Sequence, residues 1–321
     1  MMVAQSDIQL LRDTFGDSLQ VEVSLKRYTA ARIGGKADVV ITANSSYELA
    51  EMVILLWKKE IPFIILGSGS NVLVSENGVH QVVVVNRAKK ILFNKQMQPP
   101  TVWIESGANL GYLARHAAVY GLAGLEWAGG IPGTIGGAIY GNAGAHGADM
   151  SGNLLMAEIL HHRQINHGDH HKILQEKWCV DQFEYAYRNS IIKRQPGREV
   201  ILSAELKLIA STPELVQAKM DEYKIMRHNS QPSGASLGSI FKNPPGDHAG
   251  RLIEAAGLKG MALGKVEISQ KHANFFINQH SASASDYLAL IRLAQQKVMD
   301  KFGVELELEI ELVGDWPGQS I

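Results

Sequence analysis

The sequence predicts an α+β protein built of two or three structural units. Its 321 residues exceed what one hydrophobic core usually organises, at about 150 residues per domain. Runs typical of strands and of helices are mixed over the first two thirds of the chain, whereas helical periodicity dominates after about residue 210. We therefore expect a domain boundary near residue 210.

Apolar periodicity and capping signals predict the elements in chain order. Helices are predicted at 7–15, 46–59 with Ser46 as its cap, 109–120 closed by Gly121, 213–226, 249–256 and 284–301. Strands are predicted at 63–66, 81–86, 101–106, 154–165, 171–180, 199–209 and 304–313, and "NHGD" at 166–169 predicts a hairpin turn.

Composition narrows the class of protein. With 45% hydrophobic and 20% charged residues the chain is expected to fold, and a net charge of −1 offers no basic field for nucleic acid. Cys179 is the single cysteine, which excludes an intrachain disulfide framework and a Cys-based zinc site. No segment approaches the ~20 apolar residues of a membrane span, and no signal peptide is recognisable. We expect a cytoplasmic protein.

The stretch "AGGIPGTIGGAIYGNAGAHG", residues 128–147, contains eight glycines in twenty residues. It could be a flexible linker or an ordered loop whose backbone lies against a large ligand. Linkers are rich in Ser, Glu, Lys and Pro, whereas isoleucine and alanine stand between these glycines. The composition therefore favours the ordered loop.

A second glycine loop, "GSGSN" at 67–71, directly follows the strand predicted at 63–66. Its N–H groups could form an anion nest for a diphosphate, or the loop could be an ordinary tight turn. A Rossmann fingerprint is excluded, because Val72 replaces the third glycine and no helical pattern follows at once. The two glycine loops together suit an elongated dinucleotide.

Seven motifs occur in an order that resembles the UDP-N-acetylenolpyruvoylglucosamine reductases, the flavoenzymes of peptidoglycan synthesis. They are "ARIGGKAD", "ILGSGSNVLVSENG", "GLEWAGGIPGTIGGAIYGNAGAHG", "YAYRNSIIK", "GSIFKNP", "AGRLIEAAGLKG" and "SQKHANFFIN". The resemblance covers nearly the whole chain, from about Tyr28 to Gly314.

The resemblance implies a two-part FAD-binding region of the vanillyl-alcohol-oxidase (PCMH) type at 1–210, with subdomains at about 1–95 and 96–210. A smaller α/β substrate-binding domain is expected at 211–321. The short segment between Arg188 and Glu199 resembles the family branch that lacks a tyrosine-bearing insertion.

The reaction implied is the NADPH-dependent reduction of UDP-N-acetylglucosamine enolpyruvate to UDP-N-acetylmuramate, on FAD held without a covalent bond. This activity would connect the chain to cell-wall synthesis, cell shape and cell division. The residues that resemble the FAD site are Gly67, Ser68, Gly69, Ser70 and Asn71 at the diphosphate, and Gly133, Thr134, Gly137, Asn142 and Gly144 along the cofactor.

Three residues resemble the catalytic set of the family. Ser239 resembles the proton donor, although a serine beside glycine is otherwise a turn or cap residue. Arg188 resembles the arginine that grips the substrate carboxylate, with a surface ion pair as the alternative. Glu309 aligns with the catalytic glutamate, but it could equally belong to a solvated acidic face of the strand at 304–313, where mutual repulsion could raise the pKa of the least exposed carboxyl.

The family's substrate-binding residues carry over to Asn243, Arg227 and His272, although Arg227 could instead be a cation that complements a helix end. The sequence departs from the family pattern at Leu308, where proline is usual, and at Glu311, where arginine is usual. The loop before Ser239 is one residue shorter than in the family and lacks its second proline, so its path is expected to differ.

Five histidines crowd the predicted hairpin: His161, His162, His167, His170 and His171. An exposed turn explains them better than a metal site, and no metal is expected. Two alternatives to the reductase stay open. One is an FAD-dependent oxidase on the same scaffold, and the other is a non-catalytic paralogue that binds flavin or a nucleotide sugar. We expect a monomer that binds the UDP-sugar and NADPH.

Overall fold

The computed structural model describes residues 3–164 and 171–316, without the side chains of residues 163, 164 and 171. The first unit contains α1 (Gln5–Phe15), β1 (Leu19–Ser24), β2 (Lys36–Ala43), α2 (Ser46–Lys58), β3 (Phe63–Leu66), β4 (Val72–Val74) and β5 (Val79–Asn86). Its sheet has the order β1-β2-β5-β3, with β2, β3 and β5 parallel. Residues 82–85 of β5, all valine, are at most 1% exposed, as an apolar strand covered on both faces should be.

The second unit is a five-stranded antiparallel sheet covered by helices. It contains β6 (Ile91–Asn94), β7 (Thr101–Glu105), α3 (Leu110–Val119), β8 (Leu122–Ala123), α4 (Ile135–Gly141), β9 (Gly144–Ala145), β10 (Ala148–Asp149), α5 (Met150–Asn153), β11 (Leu154–Gln164), β12 (His171–Cys179), α6 (Ile191–Arg194), β13 (Glu199–Lys207), β14 (Ile209–Ala210) and α7 (Pro213–Ser230). The sheet order is β12-β11-β13-β7-β6. The turn predicted at 166–169 lies outside the described residues.

The third unit contains α8 (Ala249–Ala255), β15 (Ala262–Leu263), β16 (Val266–Ile268), β17 (Phe276–Asn278), α9 (Ala284–Phe302) and β18 (Glu311–Val313). Tyr287 of α9 is fully buried in its core and donates a hydrogen bond to the Phe276 carbonyl at 2.8 Å. β18 pairs in parallel with β4, so the end of the chain lies beside the strand that follows the first glycine loop. The first unit also contributes Ala31 and Ile33 to this core.

Two predictions about the second half of the chain need correction. The strand predicted at 304–313 forms only at Glu311–Val313, and Leu308 makes an isolated bridge to Phe241. The helix predicted to end at 226 continues to Ser230, since no glycine or proline interrupts it before Pro232.

The packing of α7 bears on the expected domain boundary at residue 210. Val216 and Met220 of α7 belong to the buried core of the second unit, together with residues of α3 and of the five-stranded sheet. After α7, the first residue that belongs to the buried core of the third unit is Leu237. We therefore propose that the boundary lies after α7, near residue 231, rather than at residue 211.

Candidate active site

The glycine-rich stretch at 128–147 is an ordered part of the second unit. Thr134 caps α4, and its hydroxyl accepts a hydrogen bond from the Gly137 N–H at 3.4 Å. Ile135 and Ile139 are fully buried in the core. Asn142 ends the helix in the left-handed conformation, with a φ of 45°. The linker interpretation is therefore wrong.

The two glycine loops face each other. A Cβ built on Gly67 would collide with the Thr134 side chain, and one built on Gly133 would lie 3.4 Å from Ser70 Oγ. Within the loop at 67–71, Ser68 Oγ is buried and has no hydrogen-bond partner in the described part of the chain. A buried hydroxyl without a partner is costly unless a ligand supplies one. The site therefore fits an anionic group such as the diphosphate of FAD.

The predicted cofactor glycines fall into two kinds. A Cβ on Gly69 would collide with the Tyr28 carbonyl, and one on Gly144 would lie 2.6 Å from the Ala148 carbonyl oxygen, so the chain itself requires glycine there. At Gly137 the nearest atom to such a Cβ would be Thr134 Oγ1, at an ordinary 3.5 Å, and the backbone has no positive φ. Of these glycines, Gly137 is the one that a bound ligand explains best.

Arg188 lies in a tight turn in which Ala186 and Asn189 exchange two backbone hydrogen bonds of 3.1 Å. Its φ of 55° is unusual for a residue with a side chain and is typical of functional positions. Arg188 Nε donates to Glu309 Oε1 at 2.8 Å, and Nη2 donates to the Gly144 carbonyl at 2.9 Å. The Arg188 and Glu309 side chains are 23% and 17% exposed, so the alternative of a surface ion pair is wrong.

Burial raises the pKa of Glu309, while the charges of Arg188, Lys193 and Lys242 act in the opposite direction. The direction agrees with the sequence prediction, but mutual repulsion among the glutamates is not the cause. Glu305 and Glu307 face solvent, and Glu311 is paired with Lys193, whose Nζ lies 2.7 Å from Glu311 Oε1.

Two of the predicted cofactor residues use their side chains within the protein. Asn71 Nδ2 donates to the Glu309 carbonyl at 2.9 Å, and the Asn71 carbonyl accepts from the Glu311 N–H at 2.8 Å. Asn142 Nδ2 contacts Asp149 Oδ2 at 3.2 Å, and its Oδ1 accepts from the Ser151 N–H at 3.0 Å. The diphosphate loop is therefore joined directly to the backbone of Glu309.

Ser239 lies on a segment next to Glu309. It forms an isolated bridge with Phe275, and the carbonyl of the following residue, Ile240, accepts from the Glu309 N–H at 2.8 Å. The buried Asn274 holds this segment, since its carbonyl accepts from the Ile240 N–H at 2.9 Å and its Nδ2 donates to the Phe241 carbonyl at 2.8 Å. Sequence reasoning missed Asn274, although an asparagine between alanine and two phenylalanines indicates a buried amide.

The predicted substrate residues Asn243 and His272 lie around the first turn of α8. Asn243 Oδ1 accepts from the Ala249 N–H at 3.1 Å, and a Cβ built on Gly250 would lie 2.9 Å from His272 Cε1. Next to His272, the Lys271 ammonium donates to the carbonyl of His228 in the last turn of α7.

Arg227, the third predicted substrate residue, lies in that same last turn of α7. Its Cδ would be 3.1 Å from a Cβ built on Gly130, and burial lowers the pKa of its guanidinium. Arg227 therefore packs against the glycine-rich stretch and is more than a cation at a helix end. The substrate-binding roles of Arg227, Asn243 and His272 stay predictions.

His161 and His162 lie in β11 rather than in the exposed turn that was predicted for the hairpin histidines. His161 is fully buried, with Nε2 at 3.2 Å from Glu176 Oε2, and His162 stacks on Trp57 with ring centroids 5.4 Å apart. His167, His170 and the side chain of His171 lie outside the described residues. No group of three His, Cys, Asp or Glu side chains that could hold a metal ion occurs within 3–162 and 172–316.

Known proteins match the chain over most of its length. The family model for the FAD binding domain matches residues 37–161. The family model for the C-terminal domain of UDP-N-acetylenolpyruvoylglucosamine reductase matches residues 230–313. A UDP-N-acetylenolpyruvoylglucosamine reductase of Rubrobacter xylanophilus is 41% identical over 91% of this chain and 94% of its own. One of Chloroflexus aggregans is 38% identical over 94% of this chain and its own entire length.

A solved structure of the same enzyme from Thermus caldophilus superposes with a TM-score of 0.74 at 33% identity, covering 92% of this chain and 99% of the other. The fold and the site therefore define an FAD-containing oxidoreductase, and the predicted fold class is confirmed. Within that class, the chain belongs to the UDP-N-acetylenolpyruvoylglucosamine reductase family. Along the described residues, no helix combines the length and the apolar character that a membrane crossing requires.

Proposed function

We propose that this chain reduces the enolpyruvyl ether of UDP-N-acetylglucosamine enolpyruvate to UDP-N-acetylmuramate, with NADPH as reductant, in peptidoglycan precursor synthesis. The observation that carries the proposal is the half-buried ion pair of Arg188 and Glu309, which spans 121 residues of sequence and lies against the glycine-rich stretch. We further propose that the enzyme works in the cytoplasm as a monomer.

The chemistry that FAD supplies when bound is the relay of a hydride from NADPH to the methylene carbon of the enolpyruvyl group. Ser68 Oγ and the N–H groups of the loop at 67–71 are suited to its diphosphate, because the hydroxyl is buried without a partner. Gly137 of α4 is exposed and bears no side chain, so it would allow the flat part of the cofactor to approach the helix.

Arg188 binds the substrate carboxylate in this proposal. A guanidinium has five N–H donors, and three of them already point to Glu309 Oε1, the Gly144 carbonyl and, at 3.5 Å, the Asn142 carbonyl. Two donors therefore remain for a ligand, one on each terminal nitrogen. A fork of two donors matches a carboxylate and can stabilise the negative charge that develops when hydride arrives.

Ser239 supplies the proton that the carbon next to the carboxylate must take up. A serine hydroxyl is a weak acid, so it requires neighbours that stabilise the negative charge left on its oxygen when the proton leaves. The positive charges of Arg188 and Lys242, which both act on the adjacent Glu309, provide such surroundings. Arg227, Asn243 and His272 are proposed to bind the nucleotide end of the substrate.

An anaerobic titration tests the function and distinguishes its alternatives. NADPH is expected to bleach the bound flavin, and the enolpyruvyl sugar nucleotide is expected to restore its colour without oxygen. An oxidase would instead be reoxidised rapidly by oxygen and would not respond to NADPH. A flavin that NADPH leaves unchanged, or that only oxygen reoxidises, would contradict the reductase.

The purified protein is expected to be yellow and to release its FAD on acid precipitation. His146, the residue before the last of the glycine-rich stretch, stacks on Tyr223 of α7 with ring centroids 4.1 Å apart, and Cys179 is exposed at the end of β12. Cys179 lies outside both glycine loops, and the ring of His146, which belongs to the longer loop, packs against Tyr223. Absorbance of supernatant and pellet checks this expectation, and a yellow pellet would show a covalent link.

A further inference from the structure

Lys193 forms an ion pair that the reaction above does not use. It lies on α6, five residues after Arg188, and its Nζ is 2.7 Å from Glu311 Oε1. The side chain of Lys193 is only 16% exposed, whereas that of Glu311 is 38% exposed. A lysine that is so well buried must gain from its surroundings, because desolvation of an ammonium is costly.

The surroundings of Lys193 include Glu309. Glu311 follows Glu309 by two residues, and the positive charge of Lys193 acts on the Glu309 carboxyl in the same direction as Arg188. Asn71 fixes the backbone of both glutamates, because it donates to the Glu309 carbonyl and accepts from the Glu311 N–H. The two ion pairs Arg188–Glu309 and Lys193–Glu311 are therefore held by one backbone segment.

Other charged or titratable groups complete this environment. Lys242 acts on Glu309 from the segment after Ser239 and is itself paired with Glu307. Tyr140 of α4 lies near Glu311, and burial together with that carboxylate raises the pKa of Tyr140 to about 12, so it stays neutral near pH 7. Lys193 is thus one of three cations around Glu309.

We propose that Lys193 is a positioning residue: its ammonium, fixed by Glu311, adds a positive charge near Glu309 and so keeps Glu309 paired with Arg188. Arg188 Nε needs an ionised Glu309 as its partner, since a protonated carboxyl attracts the guanidinium less. Arg188 then keeps its two free donors directed to the substrate. The inference rests on the proposed function.

The sign of the expected effect follows from charge. Lys193 favours the ionised form of Glu309, which burial disfavours. Removal of its charge should raise the pKa of Glu309, so that the carboxylate is lost at a higher pH than in the parent. Reduction of the enolpyruvyl substrate should therefore weaken on the acid side of the pH profile.

The experiment uses the FAD-loaded full chain and anaerobic stopped-flow absorbance, with each half-reaction measured over pH. For Lys193→Met we expect the acid limb of the substrate half-reaction to move to higher pH, with a rate loss on the order of 10-fold at low pH, within the coupling range of one salt-bridge network. Lys193→Arg should keep the parent profile. Lys36→Met, which removes a surface ion pair with side chains 65% and 64% exposed, is the matched control.

A second comparison tests whether Lys193 acts through Glu309. In a Glu309→Gln background, Lys193→Met should produce no further movement of the acid limb, because no carboxyl remains to titrate. An unmoved acid limb in Lys193→Met itself, or an equal movement in both backgrounds, would overturn the positioning role. A parent enzyme that fails to reduce the substrate at any pH would instead contradict the proposed function.

Discussion

Gly137→Val is expected to lose most of its bound FAD while the protein stays folded. A Cβ at this position would meet only Thr134 Oγ1, at 3.5 Å, and the backbone has no positive φ, so the protein alone tolerates a side chain there. A bound cofactor over the exposed face of α4 would collide with the valine. Overpacking costs typically ~1–3 kcal/mol, which corresponds to FAD affinity about 5- to 150-fold weaker.

Gly152→Val is a matched control for this substitution. Gly152 is also the third residue of its helix, is also exposed, and donates its N–H to the cap residue Asp149 at 3.2 Å. By helix propensity alone, the change from glycine to valine should have a similar and small effect on stability at both positions, less than about 0.5 kcal/mol. Flavin absorbance per chain and thermal unfolding of the stripped proteins measure the two effects. Equal flavin content in both variants would leave Gly137 with a structural role only.

Gly133 is a poorer position for this experiment, although residue type alone does not distinguish it from Gly137. The φ of Gly133 is 146°, so any side chain there strains the backbone before a ligand is considered. Backbone conformation separates the two glycines, and it depends on how the chain enters α4 from Pro132. Such information is not contained in residue type alone.

Local signals predicted most helices and strands, because caps and apolar periodicity depend only on residues that are close in sequence. They failed for 304–313, where alternating glutamate and aliphatic residues have the period of a strand. These residues make tertiary contacts instead. Leu306 and Ile310 are buried in the core of the third unit, and Leu308 forms a bridge with Phe241. Only the last three residues of the run find a paired strand, in β4.

The candidate site illustrates the same limit. The family resemblance identified Arg188 and Glu309 separately, but the partner of Glu311 could not be predicted, since Lys193 lies far from Glu311 in the sequence. Likewise, the role of Asn71 in holding the Glu309 backbone depends on the parallel pairing of β18 with β4. Contacts between distant segments are set by the packing of units, which local periodicity does not describe.

Ser239→Ala is expected to separate the two halves of the catalytic cycle. If the hydroxyl gives its proton only after hydride has left the flavin, the variant should bind FAD and accept hydride from NADPH at near the parent rate. Reoxidation by the enolpyruvyl substrate should be slower by about 10²- to 10⁴-fold, the usual worth of general acid catalysis. Anaerobic stopped-flow absorbance of the flavin measures each half-reaction on its own.

Ser236→Ala is the control for Ser239→Ala, because Ser236 lies in the same loop, three residues earlier, and is also partly exposed. It should leave both half-reactions unchanged. The methyl group at 239 should not disturb the backbone, whose neighbours are held by Asn274 through the Ile240 N–H and the Phe241 carbonyl. Equal slowing of both halves in Ser239→Ala would therefore indicate a disturbed cleft, and unchanged oxidation by substrate would remove Ser239 from the mechanism. A loss beyond about 10⁴-fold would mean that the hydroxyl also positions the substrate.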